Sequence, residues 1–202
     1  MSEFLFSTVS DVIMGPDTSE SLGNVASSLG ISRALVVTDD GIIRHGLLDK
    51  ALQSLQKLKI QYHVYSDVVA DPPEEIVLDA VAIAQSFKCD GVIGFGGGSS
   101  MDVAKLLSVL IKGCQPLSEI YGVDKISGDR IPLIQVPTTA GTGSEATMVS
   151  IITTGKTTKA GVVSRVLLAD KIILDPTLTL GLPSHVTSAT VSYTHLTLPT
   201  KA

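Results

Sequence analysis

The chain has 202 residues, of which 44% are hydrophobic and 17% are charged, and its formal net charge at pH 7 is -5. This hydrophobic content can fill a core and so excludes a disordered chain, while the acidic balance excludes a nucleic-acid partner, which needs a basic face. The sequence has no apolar run long enough to span a bilayer, no signal peptide at its start, and two cysteines without metal-ligand spacing. We therefore predict a globular cytoplasmic protein with no nucleic-acid and no membrane partner.

Short strand patterns and helical stripes alternate along the chain. In chain order they are strand 12–14, helix 19–29 closed by Gly30, strand 34–38, helix 47–58, strand 62–65, helix 76–84, strand 91–95, helix 101–111 and strand 133–136. Most of the strand segments are continuously apolar, as in sheets that are buried on both faces. This alternation predicts an α/β fold with a parallel sheet and helices on both of its faces.

The ends of three predicted strands carry residues suited to ligand binding. Asp39 follows the strand 34–38, residues 96–99 follow the strand 91–95, and residues 138–142 follow the strand 133–136. Ligands of parallel sheets bind beyond the carboxyl ends of the strands, where these three segments would converge. The convergence favours a nucleotide site.

The glycine segment is the central feature of the sequence. Gly96, Gly97 and Gly98 lie between a strand and a helix, and Ser99 is a suitable helix N-cap. Such a turn exposes backbone N–H groups at the positive end of the helix dipole, and glycines let a diphosphate approach the backbone. The spacing matches neither G-x-G-x-x-G nor a Walker A loop, so an ordinary tight turn is the alternative.

Asp39 bears on the choice of cofactor. An acidic side chain after an early strand can accept hydrogen bonds from a ribose 2′-hydroxyl and repels a 2′-phosphate, which favours NAD over NADP. The alternative is a turn or N-cap aspartate, common in an Asp-Asp-Gly sequence. The hydroxyl-rich segment 137–145, Pro-Thr-Thr-Ala-Gly-Thr-Gly-Ser-Glu, could hold phosphate or ribose oxygens, or it could be a flexible surface loop.

Three motifs in this order resemble the iron-containing alcohol dehydrogenases. They are the glycine turn with Asp102 and Lys105, the segment 137–145, and Asp175-Pro176 followed by Leu178-Thr179 and Leu182-Pro183. The resemblance covers residues 12–190. It implies a dehydroquinate synthase-like, Rossmann-like dinucleotide-binding domain at residues 1–180 and the start of a helical metal-binding domain at 181–190, the rest of which is missing.

The resemblance also implies the residues that contact NAD. Gly97, Gly98 and Ser99 would cradle the pyrophosphate, and Asp39 and Asp71 would lie near the adenosine. The complete set it implies is Asp39, Asp71, Gly96, Gly97, Gly98, Ser99, Ser100, Asp102, Thr138, Thr139, Thr142, Thr147 and Lys159. For Lys159 the alternative is a solvated hairpin turn.

The chemistry implied by the resemblance is hydride transfer between an alcohol carbon and the nicotinamide, with Fe²⁺ or Zn²⁺ binding the alcohol oxygen. In the family an aspartate and three histidines of the helical domain hold the metal. In this sequence Tyr193 stands at the aspartate position, no histidine follows four residues later, and His195 does not match a ligand position. We therefore predict no metal site in this chain, and interpret residues 191–202 as a non-native tail.

The predicted parent is accordingly an NAD-dependent, metal-dependent alcohol dehydrogenase that acts on a small alcohol or aldehyde and forms a homo-oligomer. This chain would be its cofactor-binding part and inactive alone. Alternatives are a related glycerol dehydrogenase or maleylacetate reductase, or a non-catalytic nucleotide-binding module.

Overall fold

The structure, a computed structural model, describes residues 7–113, 115–155, 157–182 and 190. The strands of this part are β1 (Asp11–Met14), β2 (Arg33–Val37), β3 (Gln61–Tyr65), β4 (Gly91–Gly96), β5 (Gly122–Val123), β6 (Leu133–Pro137), β7 (Val149–Thr154), β8 (Thr158–Val163) and β9 (Lys171–Leu174). The α-helices are α1 (Leu22–Ser28), α2 (Asp40–Arg44), α3 (Asp49–Lys57), α4 (Glu74–Phe87) and α5 (Gly98–Leu110). Short 3₁₀ turns occur at Thr18–Ser21, Leu117–Glu119, Ser144–Ala146, Arg165–Leu167 and Pro176–Thr179.

Six of the strands form one parallel sheet in the order β1-β9-β6-β4-β2-β3. Val36 of β2 lies opposite Val64 of β3 on one side and Ile93 of β4 on the other. The chain runs outward from β2 to β3 and returns to the other side of β2, so the strand order reverses between β2 and β4. Ligand crevices of open α/β sheets form at such a reversal, outside the carboxyl ends of the strands.

Helices cover both faces of this sheet. Leu35 and Val37 of β2 pack in a cluster with the apolar faces of α4 and α5, whereas Ala34 and Val36 pack in a second cluster with α1 and α3. All four side chains are fully buried. Because successive strand residues point to opposite faces, burial on both faces requires a continuously apolar strand. The predicted α/β fold is confirmed.

Asp175 fastens the end of β9 to the segment that follows β1. Its carboxylate accepts hydrogen bonds from the backbone N–H of Asp17 (3.0 Å), the N–H and hydroxyl of Ser19 (3.0 and 2.6 Å) and the N–H and hydroxyl of Thr177 (3.0 and 2.6 Å). Burial by itself would raise the pKa of Asp175, but the hydrogen bonds from Ser19 and Thr177 outweigh it and lower that pKa. Asp175 is therefore a structural carboxylate that holds the ends of two neighbouring strands together.

A second, three-stranded sheet has the order β5-β8-β7, with β8 parallel to β5 and antiparallel to β7. The Ser150 hydroxyl of β7 donates to the backbone carbonyl of Asp102 at 2.9 Å and so attaches this sheet to α5. The sequence patterns predicted neither this sheet nor β9. The β7–β8 hairpin is rich in threonine, glycine and lysine, residues that are also common in loops. Its two segments therefore form strands because they pair with each other rather than because they are apolar.

The observed boundaries lie within three residues of those predicted. The helix α5 begins at Gly98 with Gly97 as its N-cap, so the prediction of Ser99 as the N-cap is wrong. The first helical hydrogen bond, from Met101 N to Gly97 O at 3.1 Å, follows directly on the extended backbone of Gly97 and includes Ser99 in the first turn. The stripe predicted at 47–58 corresponds to α3, preceded by the separate short helix α2.

The predicted start of a helical domain and the predicted tail fall mostly on residues 183–189 and 191–202, which lie outside the described residues. Among the helices that the structure does describe, none combines the length and the apolar character needed to cross a membrane.

Candidate functional site

The glycine turn between β4 and α5 lies at the point where the strand order reverses. Gly96 ends β4 with φ of +152°, and a Cβ at this residue would stand 2.8 Å from the Ser100 hydroxyl. A side chain at Gly96 would therefore collide with the first turn of α5. The N–H groups of that turn have no intrahelical acceptor and carry the positive end of the helix dipole, which is the arrangement that binds phosphate.

A cavity of about 470 Å³, the first cavity, lies on the β2 side of this turn. Its lining consists of Asp39, Asp40, Gly41, Val68, Val69, Ala70, Gly97, Gly98, Ser99 and Ser100. The segment 68–70 contributes an apolar wall, while Asp39 contributes a carboxylate at the carboxyl end of the sheet. The structure thus brings Asp39 and the glycine turn together, as the sequence predicts.

The Asp39 carboxylate also caps a helix. Its Oδ1 accepts a hydrogen bond from Ile42 N at 3.1 Å, at the start of α2. The N-cap alternative considered for Asp39 is thus correct for one oxygen. The other oxygen, Oδ2, lies 3.4 Å from the position of a Cβ built on Gly96. Capping therefore leaves one oxygen directed at the glycine turn, and the two roles are compatible.

A second cavity, of about 560 Å³, lies on the other side of the glycine turn. It is lined by Asp71, Pro72, Gly98, Ser99, Asp102, Thr142, Ser144, Thr147, Val149, Ile151 and Lys159. Gly98 and Ser99 line both cavities, so the two cavities meet at the N-terminus of α5. Asp71, expected like Asp39 to lie near the adenosine, lines the second cavity, whereas Asp39 lines the first.

Lys159 and Asp71 form an ion pair at the second cavity. Lys159 belongs to β8, close to the hairpin turn considered as its alternative, and its side chain is nevertheless directed at the cavity lining. The segment that carries Asp71 is attached to β7, because Thr153 donates from its N–H to Pro72 O at 2.9 Å and from its hydroxyl to Asp71 O at 3.1 Å. Both charged side chains are largely solvated, with 46% and 77% exposure, so the pair contributes little stability.

The Asp102 carboxylate is hydrogen-bonded to three other residues of the chain. Its Oδ1 accepts from the Ser144 hydroxyl at 2.5 Å and from Lys105 Nζ at 3.3 Å, and its Oδ2 accepts from Ile151 N at 3.0 Å. Asp102 lines the second cavity while it holds the Ser144 turn and β7 against α5. Sequence reasoning placed it among the cofactor contacts, and the structure adds this architectural role.

Lys105 belongs to the glycine-turn motif, which predicts no role for it, and the structure places it at the centre of a network. The side chain is fully buried, and Nζ donates to Val149 O at 2.7 Å, Ser144 Oγ at 2.9 Å and Thr147 Oγ1 at 3.0 Å. Burial lowers the pKa of Lys105, although the nearby Asp102 acts in the opposite direction. The signal available in the sequence was a lysine on the apolar side of a helix, three residues after an aspartate.

Hydroxyl groups at the end of β6 lack partners within the described part of the chain. The buried Oγ1 atoms of Thr138 and Thr139 have no hydrogen-bond partner there, and neither does Thr38 Oγ1 at the end of β2. Thr139 also faces the glycine turn, because a Cβ built on Gly97 would stand 3.7 Å from its methyl group. Unpartnered buried hydroxyls beside a glycine turn fit a polar, phosphate-containing ligand, since such a ligand would satisfy them.

Within the part of the chain that the structure describes, no group of three or more His, Cys, Asp or Glu side chains could hold a metal ion. The residues present thus fit a dinucleotide at the two cavities, but they do not fit a catalytic metal.

Known proteins resemble this chain in sequence. The sequence profile of the family described as iron-containing alcohol dehydrogenase matches residues 10–176. The long-chain-alcohol dehydrogenase 1 of Geobacillus thermodenitrificans is 42% identical over 165 residues, which are 80% of this chain and 42% of that protein. This chain spans about half the length of the curated relatives it matches.

Solved structures also superpose on the fold. The crystal structure of 1,3-propanediol oxidoreductase superposes with a TM-score of 0.90 and 30% sequence identity. The match covers 94% of this chain and 50% of the 1,3-propanediol oxidoreductase chain. Sulfoacetaldehyde reductase from Bifidobacterium kashiwanohense, solved in complex with NAD⁺, has a TM-score of 0.86 and 26% identity, with the same two coverages.

Proposed function

The chain belongs to the iron-containing alcohol dehydrogenase family, and from this premise we propose that it is the dinucleotide-binding part of an NAD-dependent alcohol dehydrogenase. The observation that carries the proposal is the meeting of two cavities at the glycine turn, at the reversal of strand order. A dinucleotide has two nucleoside halves joined by a diphosphate, and this site offers two compartments joined by a phosphate-binding helix start.

We assign the halves of NAD to the cavities by their charges and shapes. The adenosine half occupies the first cavity, where the free oxygen of Asp39 accepts from the ribose hydroxyls and the segment 68–70 packs on the base. The diphosphate lies over Gly97, Gly98 and Ser99. The nicotinamide half occupies the second cavity, whose proposed contacts are Asp71, Asp102, Thr142, Thr147 and Lys159. Gly96, Ser100, Thr138 and Thr139 complete the proposed set around the glycine turn.

The proposed reaction is hydride transfer from the carbon of a small alcohol to NAD⁺, with release of the hydroxyl proton, or the reverse transfer from NADH to an aldehyde carbon; the cofactor would supply the hydride acceptor or donor when bound. The residues of this chain bind and orient the cofactor. Thr142 and Thr147 would fix the nicotinamide half, and the Lys159 ammonium would offset phosphate charge. Because the described residues do not fit a metal, we propose that Fe²⁺ or Zn²⁺ is held elsewhere in the parent.

The organisation of the parent is also proposed. Residues 1–180 would form the dinucleotide-binding domain, residues 181–190 would begin the helical metal-binding domain, and residues 191–202 would be a non-native tail. We further propose a cytoplasmic homo-oligomer. Glycerol dehydrogenase and maleylacetate reductase activities are variants of the same proposal, since they would use the same cofactor site.

Thermal unfolding of this chain, with and without saturating NAD, tests the cofactor proposal. We expect a cooperative transition that rises with NAD, since a ligand that binds only the folded state stabilises it, by about 2.7 kcal/mol at a hundredfold excess over Kd. NADP at the same concentration is the control and should raise the midpoint less. A transition that NAD does not move would contradict the proposal.

The alternative of a non-catalytic nucleotide-binding module needs a different experiment. We expect this chain, supplied with Fe²⁺ or Zn²⁺, NAD and a primary alcohol, to form no NADH. A chimera in which the region after residue 180 comes from the Geobacillus long-chain-alcohol dehydrogenase should oxidise alcohols. A folded, NAD-binding chimera without turnover would favour the module, and turnover by this chain alone would contradict its assignment as the cofactor-binding part only.

A further inference from the structure

The buried lysine of α5 lies beneath the second cavity without lining it. Asp102, Ser144, Thr147 and Val149 all line this cavity, and each accepts a hydrogen bond from Lys105 Nζ, at distances of 2.7–3.3 Å. An ammonium group has three protons, so with four acceptors all of them are engaged and one is shared between two acceptors. The floor of the cavity therefore depends on one side chain that itself has no exposed surface.

This network joins three separate elements. Lys105 and Asp102 belong to α5, Ser144 belongs to the 3₁₀ turn Ser144–Ala146, and Val149 begins β7. The Ser144 hydroxyl donates to Asp102 at 2.5 Å, and Asp102 in turn accepts from Ile151 N at 3.0 Å in β7. Without the network, packing and the hydrogen bond from the Ser150 hydroxyl to the Asp102 carbonyl would have to hold the hairpin against α5.

Stability by itself does not require a lysine at this position. Burying an ammonium is costly even when it is paired, and an apolar side chain of similar volume commonly gives an equal or more stable fold. The charged groups that face Lys105 are Asp102 on its own helix and Glu145 on the adjoining turn. A methionine could not orient the hydroxyls of Ser144 and Thr147, since it cannot donate hydrogen bonds to them.

We propose that Lys105 is a positioning residue for the nicotinamide half of the cofactor. It orients the Thr147 and Ser144 hydroxyls and fixes the distance between the hydroxyl-rich loop and the N-terminus of α5, so the second cavity keeps the shape that accepts a nucleotide. The inference deepens the proposed dinucleotide site and rests on it. It goes beyond that site because Lys105 would touch no part of the cofactor.

The two cavities provide an internal control for this proposal. The hydrogen bonds of Lys105 go to residues 102, 144, 147 and 149, and none of these lines the first cavity. The cavities share Gly98 and Ser99 only. Loss of Lys105 should therefore disturb the second cavity and leave the first cavity, with the diphosphate site, in place.

The test compares two ligands by calorimetric titration of the Lys105→Met variant. NAD, which needs both cavities, should bind at least about tenfold more weakly than to the unchanged chain, since losing a positioned hydrogen bond to a ligand has an effect of that order. ADP needs only the first cavity and the diphosphate site, so its Kd for the variant should stay within about twofold of its Kd for the unchanged chain.

Arg130→Met is the matched control. Arg130 is also a largely buried cation, clamped to Asp170 and to the carbonyls of Val166 and Leu168, but it precedes β6 at the opposite end of the sheet. This variant should lower the unfolding midpoint and change neither affinity. It separates a general loss of stability from a specific change in the second cavity.

Two results would overturn the inference while the cofactor site stands. One is unchanged NAD affinity in Lys105→Met, and the other is an equal loss of NAD and ADP binding, which would indicate a merely structural role. If the unchanged chain binds neither ligand, the proposed function itself fails. If Lys105→Met shows no cooperative unfolding, the Ser144→Ala variant is used in its place, because it removes the central hydroxyl of the network. It should lose NAD affinity and keep ADP affinity. An equal loss of both affinities, or no loss, overturns the inference.

Discussion

Asp39, just beyond the end of β2, faces Gly96 at the end of the neighbouring strand β4, and a Cβ on Gly96 would stand 3.4 Å from Asp39 Oδ2. Because Gly96 has no side chain, this carboxylate oxygen stays open toward the glycine turn. The other oxygen of Asp39 is engaged by Ile42 N as a helix cap. A single side chain thus caps the start of α2 and presents a charge to the proposed ribose site.

This geometry makes Asp39→Asn an informative substitution. Asparagine caps helices about as well as aspartate, so the fold should be retained, while the negative charge is lost. We expect NAD to bind about tenfold more weakly and NADP to gain relative to NAD, since one charge-assisted hydrogen bond contributes about 1.5–3 kcal/mol. Calorimetric titration with both cofactors measures this. Asp49→Asn, in the first turn of α3, is the control, and unchanged selectivity in Asp39→Asn would reduce Asp39 to a capping residue.

A methyl group at Gly97 tests the diphosphate cradle. Gly97 has an ordinary extended backbone, and its Cβ would meet Thr139 no closer than 3.7 Å, so Gly97→Ala should leave the unfolding midpoint nearly unchanged. It should nevertheless weaken NAD by about tenfold, because the methyl group separates the backbone from the phosphates. Gly161→Ala, where no atom lies within 4 Å of the added Cβ, is the matched control. Full NAD affinity in Gly97→Ala would argue against a diphosphate at this turn.

Lys159 should contribute to cofactor binding through its charge. In Lys159→Met we expect NAD affinity to fall by about three- to tenfold at low ionic strength, and the difference from the unchanged chain to shrink with added salt, since screening acts over about 10 Å at 0.1 M. Stability should change by less than about 0.5 kcal/mol, because the ion pair with Asp71 is solvent-exposed. Titrations at several salt concentrations measure both effects. Lys50→Met removes another exposed, paired lysine and should leave NAD binding unaltered at every salt concentration.

Asp175 should contribute to the loss of stability of the fold at acid pH. The pKa of Asp175 is lower in the folded chain than in the unfolded chain, so its stabilising effect is present above the unfolded pKa and is lost as pH falls through the folded one. Asp175→Asn should lower the free energy of unfolding at pH 7 by about 1.5–3 kcal/mol and by less at pH 3. Urea unfolding of both chains at the two pH values tests this, and an equal loss at both would refute the linkage.

The agreement between sequence and structure is closest where burial dictates residue type. The central strands and the helices α1, α4 and α5 were predictable because their apolar residues recur with the period of the element. The small sheet was not predictable, since β7 and β8 owe their conformation to pairing with each other and to attachment to α5. The N-cap of α5 was also misassigned, because Ser99 has a good capping side chain but the turn already ends at Gly97.

The sequence alone determined the α/β class, the strand ends that carry ligand-binding residues, and the resemblance to a dehydrogenase family, because all three depend on local order along the chain. Only the tertiary structure decided which of those residues share a cavity. Asp39 and Asp71 separate into two compartments, and Lys105 becomes the buried centre of the network beneath the second one. The physical reason is that such contacts join elements about 40 residues apart, as between Lys105 and Ser144, and no local periodicity records which distant side chains folding brings within hydrogen-bond distance.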